Sequence, residues 1–150
     1  MSIDKDINQT KFRNEKQKVV INIIYTSNWI NEKIKAVLDN EGITLQQFNI
    51  LRILRGAGKP ISTLQIRQRM LDKMSDTSRI VDRLVLKKLV KKIICPADKR
   101  MVDVSISAKG INLLETIDRS ADEMDAIAAS LTKADAVAIN NLLDKMRQSL

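Results

Sequence analysis

The sequence predicts a mainly α chain with one small β-hairpin, an α+β arrangement in which a helix-turn-helix runs into a two-stranded wing. Three observations predict it. Apolar residues recur at spacings of three and four over most of the 150 residues, the period of helices with one buried face. Two capping-box patterns, Thr44 with Gln47 and Ser62 with Gln65, start helices close together in the chain. Between residues 90 and 106 the period changes to that of strands around a proline-containing turn.

The elements follow in order. Val20, Ile23, Ile24, Ile30, Ile34, Val37 and Leu38 form one face of a long helix that ends near Gly42. Thr44 opens a second helix carrying Phe48, Leu51 and Leu54; Gly56 and Gly58 stop it, and Pro60 begins the next connection. Ser62 heads a short helix with Leu64, Ile66 and Met70. Ser75 starts another, with Ile80, Val81 and Leu84 turned to the core. Val90 to Ile94, closed by Pro96, and Val102 to Ile106 read as two antiparallel strands joined by a basic tip, Pro96 to Arg100. Gly110 marks the turn into a helix striped by Ile111, Leu114, Ile117, Ala121, Met124 and Ala128. Thr132 caps a last helix bearing Ile139, Leu142, Leu143 and Met146. The chain is thus expected as a single unit over 1–150, with a winged lobe at 44–107 and a helical region at 8–40 and 110–150. The apolar stripes of that helical region are wide for one chain to cover. They either pack on their own domain or pair with a second copy, and pairing into a homodimer is the preferred reading.

Charge separates the lobe from the arms. The segment from Lys59 to Arg100 holds twelve Lys or Arg against four acids (Asp72, Asp76, Asp82 and Asp98), so the whole net charge of +8 resides there and the remaining 108 residues balance. Such a surface suits a polyanion, with double-stranded DNA the leading candidate. At 44% hydrophobic and 29% charged, the composition is that of an ordinary globular protein. The stretch Met1 to Lys18 is polar and Asn22 interrupts the aliphatic run Val19 to Ile24, so neither a signal peptide nor a membrane span is expected. Cys95 has no second cysteine to pair with, and a cytoplasmic location is the default expectation. Catalysis finds no support: there is no histidine, cysteine pair, glycine-rich phosphate loop or acid cluster at metal-ligand spacing, and Asp122, Glu123 and Asp125 sit on a solvent face. No enzyme activity, metal or cofactor is expected.

In the helix starting at Ser75, the core positions leave Ser75, Asp76, Thr77, Ser78, Arg79, Asp82 and Arg83 facing a groove. Hydroxyls at a helix N-terminus suit phosphates and base edges. Arg79 or Arg83 reads guanine through paired hydrogen bonds, contacts phosphate only, or pairs with Asp76 or Asp82. Arg100, at the hairpin tip, reaches a minor groove or pairs with Asp98. Lys91, Lys92 and Lys99 read as backbone contacts. Tyr25 and Trp29, four apart on one helix face, read first as core or dimer contacts.

Taken together, Ser78-Arg79-Ile80-Val81-Asp82-Arg83-Leu84, then Lys87 to Val90, Asp98-Lys99-Arg100 and Val102 to Gly110 give a chain that resembles the MarR family of bacterial winged-helix transcription regulators. The pattern spans roughly 60 to 110, and the helical arms extend it over nearly the whole chain. The resemblance implies that the first run is the recognition helix and the third an Asp-x-Arg wing tip. It further implies a homodimeric repressor on a pseudo-palindromic operator, with half-sites about one turn, roughly 10 bp, apart. A small aromatic or anionic effector would bind between stem and lobe, where Tyr25, Trp29 and Arg52 fall. Three positions depart from the family pattern: Lys88 stands for a glycine, Lys92 for an arginine and Ser107 for a threonine. A glycine suits a left-handed C-cap, so Lys88 either sits strained or marks a helix that ends differently. Redox-sensing members carry their cysteine near the N-terminus, which Cys95 does not match; a small half-buried residue is its preferred reading. The alternative function is a winged-helix platform for protein or RNA without operator specificity.

Overall fold

Residues 2–94 and 96–148 are described in the computed structural model, and among them eight α-helices surround a three-stranded antiparallel sheet. A one-turn helix, α1 (Ile3–Asp6), precedes the long α2 (Glu15–Asp39). Asn14 starts α2 by accepting the Gln17 N–H at 2.9 Å, six residues before the apolar stripe begins. The capping boxes expected from sequence are formed: Thr44 with Gln47 opens α3 (Leu45–Ala57), and Ser62 with Gln65 opens α4 (Thr63–Arg69). Gly58 closes α3 in the left-handed conformation, φ 64°, with its N–H on the Leu54 carbonyl.

The next helix differs from the sequence reading. α5 spans Thr77–Leu86 and its cap is Asp76, whose carboxylate accepts the Arg79 N–H; Ser75 lies outside it. The hairpin strands are β2 (Val90–Ile94) and β3 (Val102–Ile106), in register from Val90 opposite Ile106 to Ile94 opposite Val102. A third strand, the two-residue β1 (Ile61–Ser62), adds to β3 and was not expected, because two residues after a proline carry no period. The sheet order is β1-β3-β2. Cys95 lies outside the described residues.

Ser107, not a turn at Gly110, opens α6 (Ala108–Asp118): its hydroxyl accepts the Gly110 N–H at 3.1 Å and donates to the Lys88 carbonyl at 2.8 Å. Gly110 sits inside α6, and only a glycine fits there, since a Cβ would lie 2.3 Å from the Leu89 carbonyl oxygen. The single helix expected through Ala128 is broken. The N–H groups of Arg119 and Ser120 reach back only three residues, to Thr116 and Ile117, which ends α6 and lets α7 (Ala121–Asp125) and a 3-10 turn at Ala126–Ala128 follow. Thr132 with Asp135 then caps α8 (Lys133–Arg147).

One apolar core holds the lobe together. Ile50, Leu51 and Leu54 of α3 are buried against Leu38, Ile66, Val81, Leu84, Val104 and Leu114, so α3 is the element on which α4, α5, the sheet and α6 converge. Burying an aliphatic side chain of this size contributes ~1.5–3 kcal/mol each. By contrast α8 buries none of its described residues, and Val19, Val20, Ile24 and Leu142 are exposed. No helix among the described residues is long and apolar enough to cross a membrane.

Candidate nucleic-acid interface

The turn leading into α5 is built by Asp72. Its carboxylate accepts the Met74 N–H at 3.0 Å and the Ser75 hydroxyl at 2.8 Å, and the Ser75 hydrogen bond, reinforced by that of Met74, holds the Asp72 carboxyl below its ordinary pKa. A charged acid thus fixes the approach to the helix N-terminus. Ser78 and Arg79 project into solvent from the first turn of α5, and Arg83 does so from its last.

Two open grooves meet at this helix. One, of about 520 Å³, runs between α4 and the start of α5 and is lined by Thr63, Leu64 and Arg67 on one side and by residues 74–78 on the other. The second, of about 500 Å³, lies between α5 and the wing, with Ser78 and Val81 facing Lys92, Arg100 and Met101. Ser78, Thr63 and Leu64 line both. The fold therefore brings Ser75, Ser78, Lys92 and Arg100 to one face.

Individual residues depart from the sequence expectation. Thr77, expected toward the groove, is 3% exposed and its hydroxyl has no hydrogen-bond partner, because α5 begins there with its first residue turned into the lobe. Lys92 is engaged by Asp82, tying β2 to α5 across the second groove. Arg100 keeps 93% of its side-chain surface exposed, while its N–H and Nε hold Asp98 at 3.0 and 3.4 Å. Lys91 and Lys99 are exposed; Lys91 pairs in register with Ser105 and alternates with Lys92 to the other face of the sheet. Sequence reasoning missed Thr63, Arg67 and Met101. The signal for the first two was available in the Ser62–Gln65 cap, which fixes the N-terminus of α4 beside α5.

The three residues expected around an effector do not gather. Tyr25 and Trp29, each 40% exposed, line a groove of about 450 Å³ that α1 closes with Asp4 paired to Lys18 at 2.9 Å. Arg52 takes no part in it; its guanidinium lies 5.6 Å over the Phe48 ring on α3, a different helix face. Among the described residues no group of three or more His, Cys, Asp or Glu is arranged to hold a metal ion.

Residues 41–101, which contain α3 to β2 and the wing tip, match the model of the MarR family. No curated protein matches the chain in sequence. Solved structures share its fold over most of its length. A cysteine-to-serine variant of MarR from E. coli, complexed with operator DNA, superposes with a TM-score of 0.80 at 24% identity, covering 91% of this chain and 99% of that one. BpsR of Bordetella bronchiseptica, whose DNA binding is regulated by 6-hydroxynicotinic acid, gives 0.78 at 24% identity over 87% and 98%. An organohalide-sensing transcriptional regulator bound to 2,4-dichlorophenol gives 0.83 at 21% identity over 93% and 86%.

Proposed function

We propose that the chain, whose residues 41–101 match the model of the MarR family, is one of that family of transcription regulators and acts as a homodimeric, sequence-specific repressor. The observation that carries the reading is the convergence of the α5 N-terminus and the Arg100 wing on two adjoining grooves within the segment that bears the +8 charge. In this reading α5 enters the major groove with Ser75, Ser78, Arg79 and Arg83 over phosphates and base edges. The wing carries Arg100 into the flanking minor groove, with Lys91, Lys92 and Lys99 on the backbone. Thr77 supports the helix start from within. The unburied face of α8, with the apolar residues of α2, supports pairing through the helical regions 8–40 and 110–150, leaving 44–107 as the DNA lobe. Two-fold symmetry then sets pseudo-palindromic half-sites roughly 10 bp apart.

A small aromatic or anionic effector releases the DNA in this proposal. The two ligand-associated relatives support it, and the groove beneath Tyr25 and Trp29 is the candidate site, without Arg52.

The test is equilibrium binding to a duplex taken from upstream of the protein's own coding region, against a scrambled duplex, over a salt series. Specific binding exceeds the control by ~1,000-fold or more. Arg100→Ala weakens it and lowers the log-log salt slope by about 0.9 while leaving the dimer intact. Leu142→Asp gives monomers by sedimentation and loses cooperative binding. Equal affinity for single strands or structured RNA sinks the operator reading.

A further inference from the structure

Among the apolar side chains that stand in solvent within the positively charged segment, two share one groove. Leu64 is 63% exposed and Met74 93%, one on α4 and the other in the turn that leads into α5. They line the same groove of about 520 Å³, together with Arg67 and the Ser75 and Ser78 side chains. The groove's own carboxylate, Asp76, is occupied by the Arg79 N–H. Neither apolar residue belongs to the core, so neither is there to hold the lobe together.

We propose that Leu64 and Met74 read thymine, by packing against its C5-methyl group in the major groove. The inference rests on the DNA-binding reading above and deepens it. The edges that a duplex presents in its major groove are hydrogen-bond donors and acceptors, and the methyl of thymine is the apolar exception. Apolar side chains that project among an arginine and hydroxyls find a matching surface there. Charge selects the partner: the segment that contains both residues carries the entire net charge of +8, which suits a polyanion and opposes an ordinary protein surface of mixed charge. Leu64 and Met74 are therefore specificity-determining residues, which set a preference for A·T pairs beside the contacts made by Ser78 and Arg79.

The probe is the tightest duplex selected from a random pool, in which each thymine is replaced in turn by deoxyuridine. That exchange deletes the methyl and keeps every hydrogen-bonding group. The unaltered protein binds about fourfold more weakly at the sensitive positions, as expected for one buried methyl. In Leu64→Ser and Met74→Ser the uracil penalty vanishes at the position each residue covers and persists elsewhere. Leu64→Met and Met74→Leu, which stay apolar, restore it. Thermal melting of the serine variants matches the unaltered protein, since both side chains are exposed. A selected duplex that shows no uracil penalty overturns the inference while leaving the DNA reading intact. So does a penalty that both serine variants retain in full, which would redirect the exposed pair to a protein partner. A protein that prefers no selected duplex over a scrambled one overturns the DNA reading itself.

Discussion

Replacing Lys88 by glycine makes the protein more stable. Lys88 is held at φ 62°, the left-handed conformation, immediately after the cap of α5. Its N–H bonds the Val85 carbonyl at 2.9 Å and the Leu89 N–H bonds the Leu84 carbonyl at 3.0 Å, the paired bonds of a Schellman motif. Leu84 and Leu89 are both buried in the core, supplying the apolar contact that accompanies the motif. The helix thus ends as a glycine would end it, with a lysine in the glycine's place. A Cβ in this conformation costs ~1–2 kcal/mol. Glycine removes that cost but adds ~0.5–1 kcal/mol of unfolded-state freedom, so the net gain is about 0.5–1 kcal/mol. For a chain of 150 residues that raises Tm by roughly 1–4 °C. Lys88→Ala removes the charge and keeps the Cβ, so it isolates the backbone effect and falls near the unaltered protein. Lys88→Val, branched at Cβ, falls below it. Urea unfolding followed by far-UV circular dichroism, at one protein concentration, measures all three. A Lys88→Gly protein no more stable than Lys88→Ala refutes the argument.

Gly110→Ala pushes a methyl to within 2.3 Å of the Leu89 carbonyl oxygen and 2.7 Å of Ile106 Cγ1, and thermal melting shows a loss of about 3 kcal/mol; Gly56→Ala, which meets open space within its helix, instead gains ~0.5–1 kcal/mol. The Arg55 guanidinium, 2.6 Å from Asp118, holds that carboxyl below its ordinary value of 3.8. Its contribution is complete above that unfolded value and is lost as pH falls through the lower folded one; Asp118→Asn therefore flattens the acid limb of a stability-against-pH curve, at a cost near neutrality of no more than ~1 kcal/mol because the pair is half exposed.

What the sequence made legible is what local chemistry decides. The capping boxes at Thr44 and Ser62 and the alternation of Val102, Val104 and Ile106 specify their elements within a few residues, and they formed as read. Charge confined to residues 59–100 marked out the segment in which the candidate interface lies. The misreadings are tertiary. Ser75 and Asp76 are both competent caps, and the choice fell to Asp76 because Asp72 had engaged the Ser75 hydroxyl. Gly110 resembles a turn glycine until the Leu89 carbonyl is seen against it. Thr77 has the polarity of a groove residue and the burial of a core one. Arg52 carries no signal of which helix face it shares, so its separation from Trp29 required the packing of α2 against α3.

The four acids within the basic segment explain how a surface built for a polyanion tolerates negative charge. Any carboxylate near phosphate opposes binding, and the simplest way to raise affinity would be to remove all four. Each, however, fixes a group of the candidate interface. Asp72 ties down Met74 and Ser75, and Asp76 starts α5 by accepting the Arg79 N–H. Asp82 holds Lys92 and so sets β2 against α5; Asp98 accepts from the Arg100 backbone and Nε and so shapes the wing tip. The first two act through hydrogen bonds to backbone and hydroxyl groups. The last two act on cations that are themselves candidates for phosphate or groove contacts, so in the proposed complex Lys92 and Arg100 pass from one anion to another. Exchange between partners of like charge costs little, because an exposed ion pair is worth only ~0–1 kcal/mol. In the proposed complex the wing is thereby oriented before DNA arrives and released to it without a large penalty.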